Sequence, residues 1–588
     1  MARPARGQVV SPAEPPAAAP VQAPAEGAPT EVSVHGARPD RDIGAHDIPA
    51  IRLRDVPGTF GDPFQAIAAL PGMAPMASGL PYFYVRGAPP ADTGYFLDGV
   101  PVPALFHIGP GPSIVPPALV ERIDYFPSTP PARYGRFVGG VVAAETAPPS
   151  PTARAEASVR LFDASAFAEA PLGGGASALV AGRYGYPNLL LSLVAPHLSL
   201  TYSDYTLRVA QELGVDDAVS VLSFGAFDDE HDATQGLVPV DTASHRVDVR
   251  YDHKWREGSL RLATTLGYDR TAAPLASGAD ETASETSARV RLEVKQRLGA
   301  AARISAGADT IALLDGIAIG DAHPDPNQIA GAYVDAQWRP AERVEVAAGV
   351  RVDAYRSPSG AIASLDPKLA VRVRVTSRVV WTSSVGVAHQ APTYLLPVPG
   401  LRLDPASGLQ TAYEYAEGVE VTLPEAVKVG ATAFYAADRR MNDFVSDCGG
   451  FLLDCSVVGR VDGSTVGLEV LVERSLSRRL GGFLSYTLSR AERRVGAVTF
   501  LSPFDRTHVA SAVLRYDFGR GVAAGVRGTY MTGRADIPSL TYPGQPIDGT
   551  PPSDHLVQHR LPFFYRLDLR LEKRWNISDR AWLTAVVE

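Results

Sequence analysis

The stretch Arg246-Val247-Asp248-Val249-Arg250-Tyr251-Asp252-His253-Lys254-Trp255 decides the fold of this chain. In an extended backbone, successive side chains point to opposite faces. Val, Val, Tyr, His and Trp therefore share one face, and Arg, Asp, Arg, Asp and Lys share the other. This alternation with one apolar face indicates a half-buried β-strand. The stretch Arg566–Trp575 repeats the pattern, so the chain from about residue 154 onward is predicted to be all-β.

The strands of this pattern are long. They run about 9–13 residues, against about 5–6 in most globular sheets and about 9–11 for a strand that crosses a bilayer. Short turns such as Arg256-Glu257-Gly258 alternate with long loops such as 439–463 and 533–560. Short turns at one rim and long loops at the other are typical of an outer-membrane β-barrel. A soluble β-sandwich also alternates and is the competing interpretation.

The number of turns predicts the number of strands. Ten short turns give ten hairpins, and one further strand near 154–161 brings the count to about 21, whereas bacterial single-chain barrels have even counts. We therefore expect a transmembrane barrel of about 22 antiparallel strands over residues 153–588. It would be C-terminally incomplete, because its last strand is missing from this chain. An unpaired gap between the first and last strands would follow.

Composition excludes several classes of protein. The net charge of −9 at pH 7 argues against a nucleic-acid partner. The longest apolar run, near 189–195, is much shorter than the about 20 residues of a transmembrane helix. The two cysteines, Cys448 and Cys455, lie in the loop 439–463. They form either one disulfide in an oxidising compartment or two inert thiols.

The N-terminal part divides into three segments. Residues 1–30 are rich in Ala and Pro and are predicted to be disordered. They contain no apolar stretch of the kind found in a signal peptide, so an exported protein would start upstream. Residues 31–44 are expected to be extended. Residues 45–147 contain short apolar runs between Gly and Pro, with a short helix beginning after Asp62, and form the next predicted domain.

Four motifs within residues 45–147 resemble the plug domain of TonB-dependent outer-membrane receptors. Val85-Arg86-Gly87 is similar to the family's Val/Ile-Arg-Gly element, and Phe96-Leu97-Asp98-Gly99-Val100-Pro101 is similar to its Leu-Asp-Gly-Val-Pro turn. Val120-Glu121-Arg122-Ile123-Asp124 resembles the following strand, and Tyr134-Gly135 with Gly139-Gly140 resembles the last one. These elements occur in order at the family's spacing, and the resemblance covers the chain from about residue 30 onward.

The resemblance implies a small α/β plug inside the lumen of the barrel, in contact with the wall. Glu417 and Glu469 stand in Tyr415-Ala416-Glu417-Gly418 and Gly467-Leu468-Glu469, which resemble the places where family barrels direct glutamates toward the plug. Arg86 is the expected plug partner. The family's second plug arginine is replaced by Pro127-Ser128-Thr129-Pro130, so Arg133 is the expected substitute. Alternatively, both glutamates are ordinary solvated charges of the lumen.

The resemblance also implies a function. Glu31-Val32-Ser33-Val34 has the place and character of the family's TonB box, which adds a strand to a periplasmic energy transducer. An ordinary first plug strand is the alternative. The implied activity is import of a scarce ligand, of the siderophore, cobalamin or glycan class, across the outer membrane of a Gram-negative bacterium. The competing hypothesis is a plugged barrel with a passive, structural or signalling role.

Motifs of enzyme active sites are not found in the sequence. It contains neither His-Glu-x-x-His nor Gly-x-Ser-x-Gly. The twelve histidines are scattered, and His107 and His389 are expected to be satisfied or exposed side chains. We therefore expect a receptor rather than an enzyme, with no catalytic residue, no metal site and no cofactor. The expected partners are outer-membrane lipid, the transducer TonB and an extracellular ligand that the composition does not identify.

Overall fold

The computed structural model describes residues 42–588 except for 50–52, 76–81, 109–110, 233–239, 275–279, 316–326, 394–398, 401–403, 443–446, 449–454, 457–459, 475–478, 496–497 and 537–558. Residues 42–588 form one compact unit. The predicted disordered segment 1–30 and the TonB-box-like residues Glu31, Val32, Ser33 and Val34 lie outside the described residues.

Residues 45–147, the predicted plug and called the plug below, contain a five-stranded sheet in the order β1-β6-β7-β4-β5 and a separate sheet of β2 and β3. Its strands are β1 (His46–Pro49), β2 (Met73–Pro75), β3 (Phe83–Val85), β4 (Gly94–Leu97), β5 (Val100–Pro101), β6 (Val120–Phe126) and β7 (Val141–Thr146). Helix α1 (Pro63–Ile67) begins after Asp62, whose carboxylate accepts a hydrogen bond from the Phe64 amide at 2.9 Å. Phe64 and Ile67 bury the apolar side of this helix in the plug core.

The barrel follows the plug in the chain. Its region contains β8 (Arg154–Val159), β9 (Asp163–Gly173), β10 (Ala176–Gly185), helix α2 (Asn188–Val194), β11 (Leu198–Glu212), β12 (Asp217–Asp232), β13 (Val240–Trp255), β14 (Gly258–Pro274), β15 (Asp280–Leu298), β16 (Ala302–Asp315), β17 (Gln328–Ala341), β18 (Val344–Ser357), β19 (Gly360–Arg374), β20 (Val379–Gln390), β21 (Gln410–Thr422), β22 (Val427–Met441), β23 (Asp447–Cys448), β24 (Cys455–Ser456), β25 (Val461–Arg474), β26 (Leu480–Val495), β27 (Val498–Leu501), β28 (His508–Gly519), β29 (Val522–Met531), β30 (Ala535–Asp536), β31 (His559–Arg560), β32 (Phe564–Ser578) and β33 (Ala581–Val587). Among the described residues, no helix is long and apolar enough to cross a membrane.

The barrel sheet has 22 described strands in a closed order. This is one strand more than the 21 counted from the turns. The additional strand is the short β27, which pairs with the end of β26, while β28 pairs with the rest of β26. The predicted gap between the first and last strands is wrong, since β33 and β8 are neighbours in the closed order. This seam still differs from the rest of the wall. Every residue of β33 and all residues of β8 except Ser158 are exposed.

The two faces of the barrel strands differ in burial as the alternation predicts. In β13, Val247 and Val249 are exposed, the latter to 47%, whereas Arg246 and Asp248 are buried and Arg250 is only 8% exposed. The charged side chains point into the lumen, where the plug covers them. The apolar side chains point outward, as required of a surface that contacts lipid.

Aromatic side chains mark two levels on the outside of the barrel. All five tryptophans lie near the short turns at one rim: Trp255, Trp338, Trp381, Trp575 and Trp582. Toward the other rim, Tyr205, Phe227 and Tyr268 surround His245, at ring distances of 4.7–6.4 Å. Ten residue steps separate His245 from Trp255, and in a strand tilted by about 40° they span about 25 Å, the height of the apolar band of an outer-membrane barrel.

Candidate functional site

The contact between Arg86 and the wall centres on a tight turn after β3. Arg86 and Gly87 both have positive φ angles, 48° and 78°, which turn the arginine side chain toward β25. Its Nε and Nη2 donate to the two carboxylate oxygens of Glu469, each at 2.8 Å, and Nη1 donates to Ser128 at 3.0 Å. The guanidinium also lies 4.1 Å from the centre of the Phe434 ring. We call these four residues the Arg86 contact.

The charges of the Arg86 contact are buried but compensated. Burial lowers the pKa of Arg86, and the adjacent Glu469 carboxylate outweighs this effect, so that the pKa lies above its usual value. The bidentate geometry supplies both charge and hydrogen bonds. Gly72 of the plug also meets Glu469, because a Cβ atom at this position would collide with the carboxylate. The close approach explains why a glycine stands at this turn.

Glu417 is outside the lumen, and its predicted contact with the plug is wrong. Its carboxylate accepts hydrogen bonds from the Trp381 indole at 2.9 Å and from the Tyr415 hydroxyl at 2.7 Å, on the outer face of β21. The inward glutamate of this strand is Glu414, which accepts from the backbone amide of Thr129 in the plug at 2.8 Å. Tyr415, two residues earlier, is exposed as well, so positions 415 and 417 share the outer face of β21.

Arg133 is also placed differently from the prediction. Its guanidinium pairs with Asp42, and only its backbone amide reaches the wall, donating to Asp335 at 3.2 Å. Burial lowers the pKa of Arg133, but the Asp42 carboxylate raises it well above the usual value. Asp42 in turn accepts a hydrogen bond from Gln337 of β17 at 2.8 Å. The pair therefore attaches the N-terminal side of the plug to the wall indirectly.

A further plug arginine that binds wall carboxylates is Arg136, which no feature of the sequence indicated. Its Nη1 lies 2.6 Å from Asp309 of β16, and its Nε donates to Asp353 of β18 at 3.0 Å. Arg351 of β18 binds the same two carboxylates at 2.7 Å each. A Cβ atom on Gly135 would collide with the Arg351 side chain. The predicted motif glycine thus allows this close approach.

The Asp98-Gly99 turn connects the plug sheet to the wall on another side. The Asp98 carboxylate accepts from the amide and the hydroxyl of Thr146, each at 2.8 Å, and lies 3.4 Å from Arg250 of β13. Burial raises the pKa of Asp98. Arg250 and the hydrogen bonds from Thr146 outweigh this effect, so the pKa lies below its usual value. Arg289 of β15 donates to the Gly99 carbonyl at 3.2 Å.

His107 makes a further charged contact with the wall. Its Nδ1 lies 2.8 Å from Asp228 of β12 and its Nε2 lies 3.1 Å from Asp204 of β11. The ring stacks on Tyr202 at 4.6 Å. Burial lowers the pKa of His107, but the two carboxylates outweigh burial and raise it to about 9. We call these four residues the His107 contact. Both ring nitrogens of His107 have hydrogen-bond partners, as expected, and the raised pKa keeps the ring protonated at neutral pH.

The other predicted plug residues shape the plug itself. Leu97 is buried, Tyr134 packs on Phe96 with ring centres 5.0 Å apart, and the Gly139 amide donates to Asp92 at 2.9 Å. Gly140 has a φ of 105°, which favours glycine. Glu121 is exposed, whereas Arg122 pairs with Asp124 at 3.1 Å and with Glu145 at 3.0 Å. The contacts described for these residues are within the plug and stabilise its sheet.

The two cysteines lie on the two strands of a small sheet, β23 and β24. The backbone of Cys448 in β23 pairs directly with that of Cys455 in β24. Directly opposed residues of antiparallel strands are close enough for their side chains to interact. This placement agrees with the predicted disulfide, which stays a prediction.

Comparison with known proteins gives two family matches. Residues 194–588 match the model described as TonB dependent receptor-like, beta-barrel, and residues 48–142 match the model described as TonB-dependent Receptor Plug Domain. Comparison with curated protein sequences gives no match.

Solved structures with a similar fold include three receptors and transporters. A mutant of the ferric enterobactin receptor of Pseudomonas aeruginosa is 14% identical, with a TM-score of 0.69 and 92% of each chain covered. The siderophore receptor PirA of Acinetobacter baumannii is 14% identical, with a TM-score of 0.67 and coverage of 91% of this chain and 92% of that one. The FrpB iron transporter of Neisseria meningitidis is 13% identical, with a TM-score of 0.67 and coverage of 90% and 92%. At these identities the likeness concerns the fold alone.

Proposed function

The chain belongs to the TonB-dependent receptor family, and we propose that it imports a scarce ligand across the outer membrane of a Gram-negative bacterium with energy from an inner-membrane transducer. The observation that best supports this is how the plug is held. Arg86, His107 and Arg136 bind wall carboxylates on three separate parts of the barrel. A large solute passes such a lumen only when the plug moves, and separating buried ion pairs requires energy.

Energy would enter from the N-terminal side of the plug. We propose residues 31–34, within the segment 31–44, as the place where TonB adds a strand. The first described residue after positions 31–34 is Asp42, which is bound to Arg133 and Gln337, and the first described strand is β1. Strand β1 is at the edge of the plug sheet, beside β6. A pull from the N-terminal side would act first on this edge strand and on the Asp42 contacts.

The division of work among the segments follows from this. We propose residues 45–147 as the movable plug and residues 153–588 as the lipid-embedded barrel. The ligand would bind from outside to the long loops and the outer end of the plug. A siderophore, cobalamin and a glycan are the three classes to be tested. A Cys448–Cys455 disulfide would brace one of the long loops.

Deletion of residues 30–35 separates energised import from a passive or structural role. Cells would be tested for uptake with three separate probes: a ferric catecholate, cobalamin and a maltooligosaccharide. We expect the deletion to abolish uptake of the transported probe without changing its binding at the cell surface. The matched control deletes six residues, 12–17, from the Ala/Pro-rich segment and should transport normally.

A second measurement needs no ligand. The isolated periplasmic domain of TonB should bind the full-length receptor and fail to bind the variant lacking residues 30–35. Uptake and transducer binding that both survive the deletion would contradict the proposal and favour the passive alternative.

A further inference from the structure

The outer surface of the barrel carries a compact charged group on three neighbouring strands, and its arginines lie on two of them. Arg439 of β22, Arg490 of β26 and Arg494 of β26 point outward, and their side chains are 47%, 65% and 55% exposed. Asp462 of β25 lies between two of them, 3.1 Å from Arg439 and 3.8 Å from Arg494. We call the three arginines, together with Asp462 and Glu492, the outer arginine patch.

Strand register fixes which way this patch faces. Tyr435 and Val466 are opposite each other and both exposed, and Val466 is opposite Arg490. The same outward parity continues along β26 through Glu492 to Arg494, while Arg493 points inward and is buried. The patch is therefore outside the lumen and apart from the route of the imported ligand.

Register also fixes the level of the patch. Arg490 is joined to Tyr435 through Val466 in the strand register, and Arg494 is four residues farther toward the long loops. Four residues of a strand tilted by about 40° rise about 10 Å. Tyr486 and His508, which bond at 2.8 Å, belong to the same outward aromatic surface. The patch thus begins at the aromatic level and extends upward through a layer as thick as a lipid headgroup region.

The charge of this surface is positive. Three arginines face two carboxylates within the patch, and the pair of Arg490 with Glu492 at 2.6 Å leaves the arginine well exposed. Arg440 and Arg460 lie beside the patch, where both bond Ser407, and Asp404 of the same turn is exposed. The patch and these neighbouring residues together contain five arginines and three carboxylates, which gives a net charge of about +2.

We propose that the outer arginine patch binds the phosphate groups of an anionic lipid in the external leaflet of the membrane. The proposal rests on the outer-membrane location given above but not on transport. Guanidinium groups bind phosphate oxygens in a bidentate manner. The patch is continuous with the apolar outer surface of the barrel, so one lipid can contact the arginines with its headgroup and Tyr435, Val466 and Leu488 with its acyl chains.

The test compares two triple variants of the full-length protein in nonionic detergent. One carries Arg439→Gln, Arg490→Gln and Arg494→Gln; the matched control carries Arg256→Gln, Arg374→Gln and Arg580→Gln, three exposed arginines at the short-turn rim. Native mass spectrometry would measure retention of a diphosphorylated lipid A and of phosphatidylcholine, with inorganic phosphate as competitor. Heat-dependent migration in gels would establish that each barrel is folded.

We expect the patch variant to bind the diphosphorylated lipid about 100-fold more weakly, since each arginine near an anionic surface contributes about fivefold. The control should bind like the unmodified protein, and added salt should weaken binding. Equal loss in both variants, unchanged binding in the patch variant, equal binding of phosphatidylcholine, or displacement by equimolar inorganic phosphate would each overturn the proposal. If the glutamine triple variant does not fold, the single variants Arg490→Gln and Arg494→Gln, each expected to weaken binding about fivefold, and the salt dependence of the unmodified protein supply the same decision. The lipid-binding measurements do not involve transport, so they stand even if the uptake experiments fail.

Discussion

The Arg86 contact and the His107 contact hold the plug to distant parts of the wall, and they differ in chemistry. In the closed order of the sheet, ten strands separate β12 from β25. Arg86 binds one carboxylate, Glu469, through two parallel hydrogen bonds. His107 lies between two carboxylates, Asp204 and Asp228, which come from adjacent strands.

The difference concerns how firmly each charge is fixed. A guanidinium keeps its proton at any physiological pH, whereas an imidazole can lose it. The carboxylates of the His107 contact also have other partners, because Arg183 lies 2.9 Å from Asp204 and Thr242 donates to Asp228 at 3.2 Å. Removing His107 therefore leaves both carboxylates partly compensated. The comparison indicates one permanent attachment and one that depends on a proton.

The largest expected effect is that of Arg86→Ala. Removing one partner of a buried ion pair costs about 3–5 kcal/mol, because the remaining charge stays desolvated. We expect the variant to loosen the plug, which would appear as faster proteolysis of the plug and greater passive leakage of small solutes through reconstituted protein. Arg122→Ala is the matched control, since Arg122 is a plug arginine whose partners Asp124 and Glu145 belong to the plug.

A double-mutant cycle sharpens this result. Glu469→Ala should add little once Arg86 is gone, because the two residues form one unit. Additive effects would mean that the pair does not carry the attachment.

The next effect in size is that of His107→Phe. This substitution keeps a ring to stack on Tyr202 and removes both hydrogen bonds to carboxylates, which are worth about 1.5–3 kcal/mol when a charged group is involved. We expect a lower melting temperature of the plug and less leakage than in Arg86→Ala. Leakage as large as in Arg86→Ala would contradict the ranking of the two contacts.

The pH dependence should be confined to the His107 contact. The pKa of His107 is raised from 6.5 to about 9 by the wall carboxylates. Its stabilising contribution is therefore fully present below pH 6.5 and is lost as pH rises through 9, by about 2 kcal/mol between pH 7 and pH 9. Melting experiments over this range should show the loss in the unmodified protein and a smaller one in His107→Phe. The same slope in both proteins would assign the effect to other groups.

The smallest expected effect is that of Glu417→Ala. Its carboxylate bonds Trp381 and Tyr415 on the outer face of β21, so plug proteolysis and solute leakage should not change. Glu414→Ala removes the inward glutamate of the same strand and should increase leakage. If the two variants behaved in the opposite way, the face assigned to each residue would be wrong.

The sequence predicted most of the architecture because its signals are local. The alternation in Arg246–Trp255 identifies the strand and the face of each side chain, and it requires no knowledge of distant residues. The turn count gave 21 strands, and the difference from 22 arises at β26, which pairs with two separate segments. The two segments, β27 and β28, are separated by an irregular stretch, and the alternation of the sequence does not show that both pair with β26.

The pairs between plug and wall were predictable only in part. The motif around Glu469 directed attention to the partner that Arg86 contacts, but Glu417 has the wrong parity, and a displacement by one residue in a strand moves a side chain to the other face. Arg136 and His107 stood in the sequence without any feature that indicated their partners. Asp309, Asp353, Asp204 and Asp228 are 97 to 217 residues away from them.

The sequence by itself thus determined the β-barrel, the plug motifs and the apolar outer surface, because period-two alternation and turn chemistry act over a few residues. The tertiary structure decided which charges meet. Closure of the sheet brings strands β8 to β33 around one plug, and its register determines whether each carboxylate faces the lumen or the outside of the barrel. Partner choice at Arg86, Arg136 and His107 is therefore a property of the closed barrel rather than of any segment.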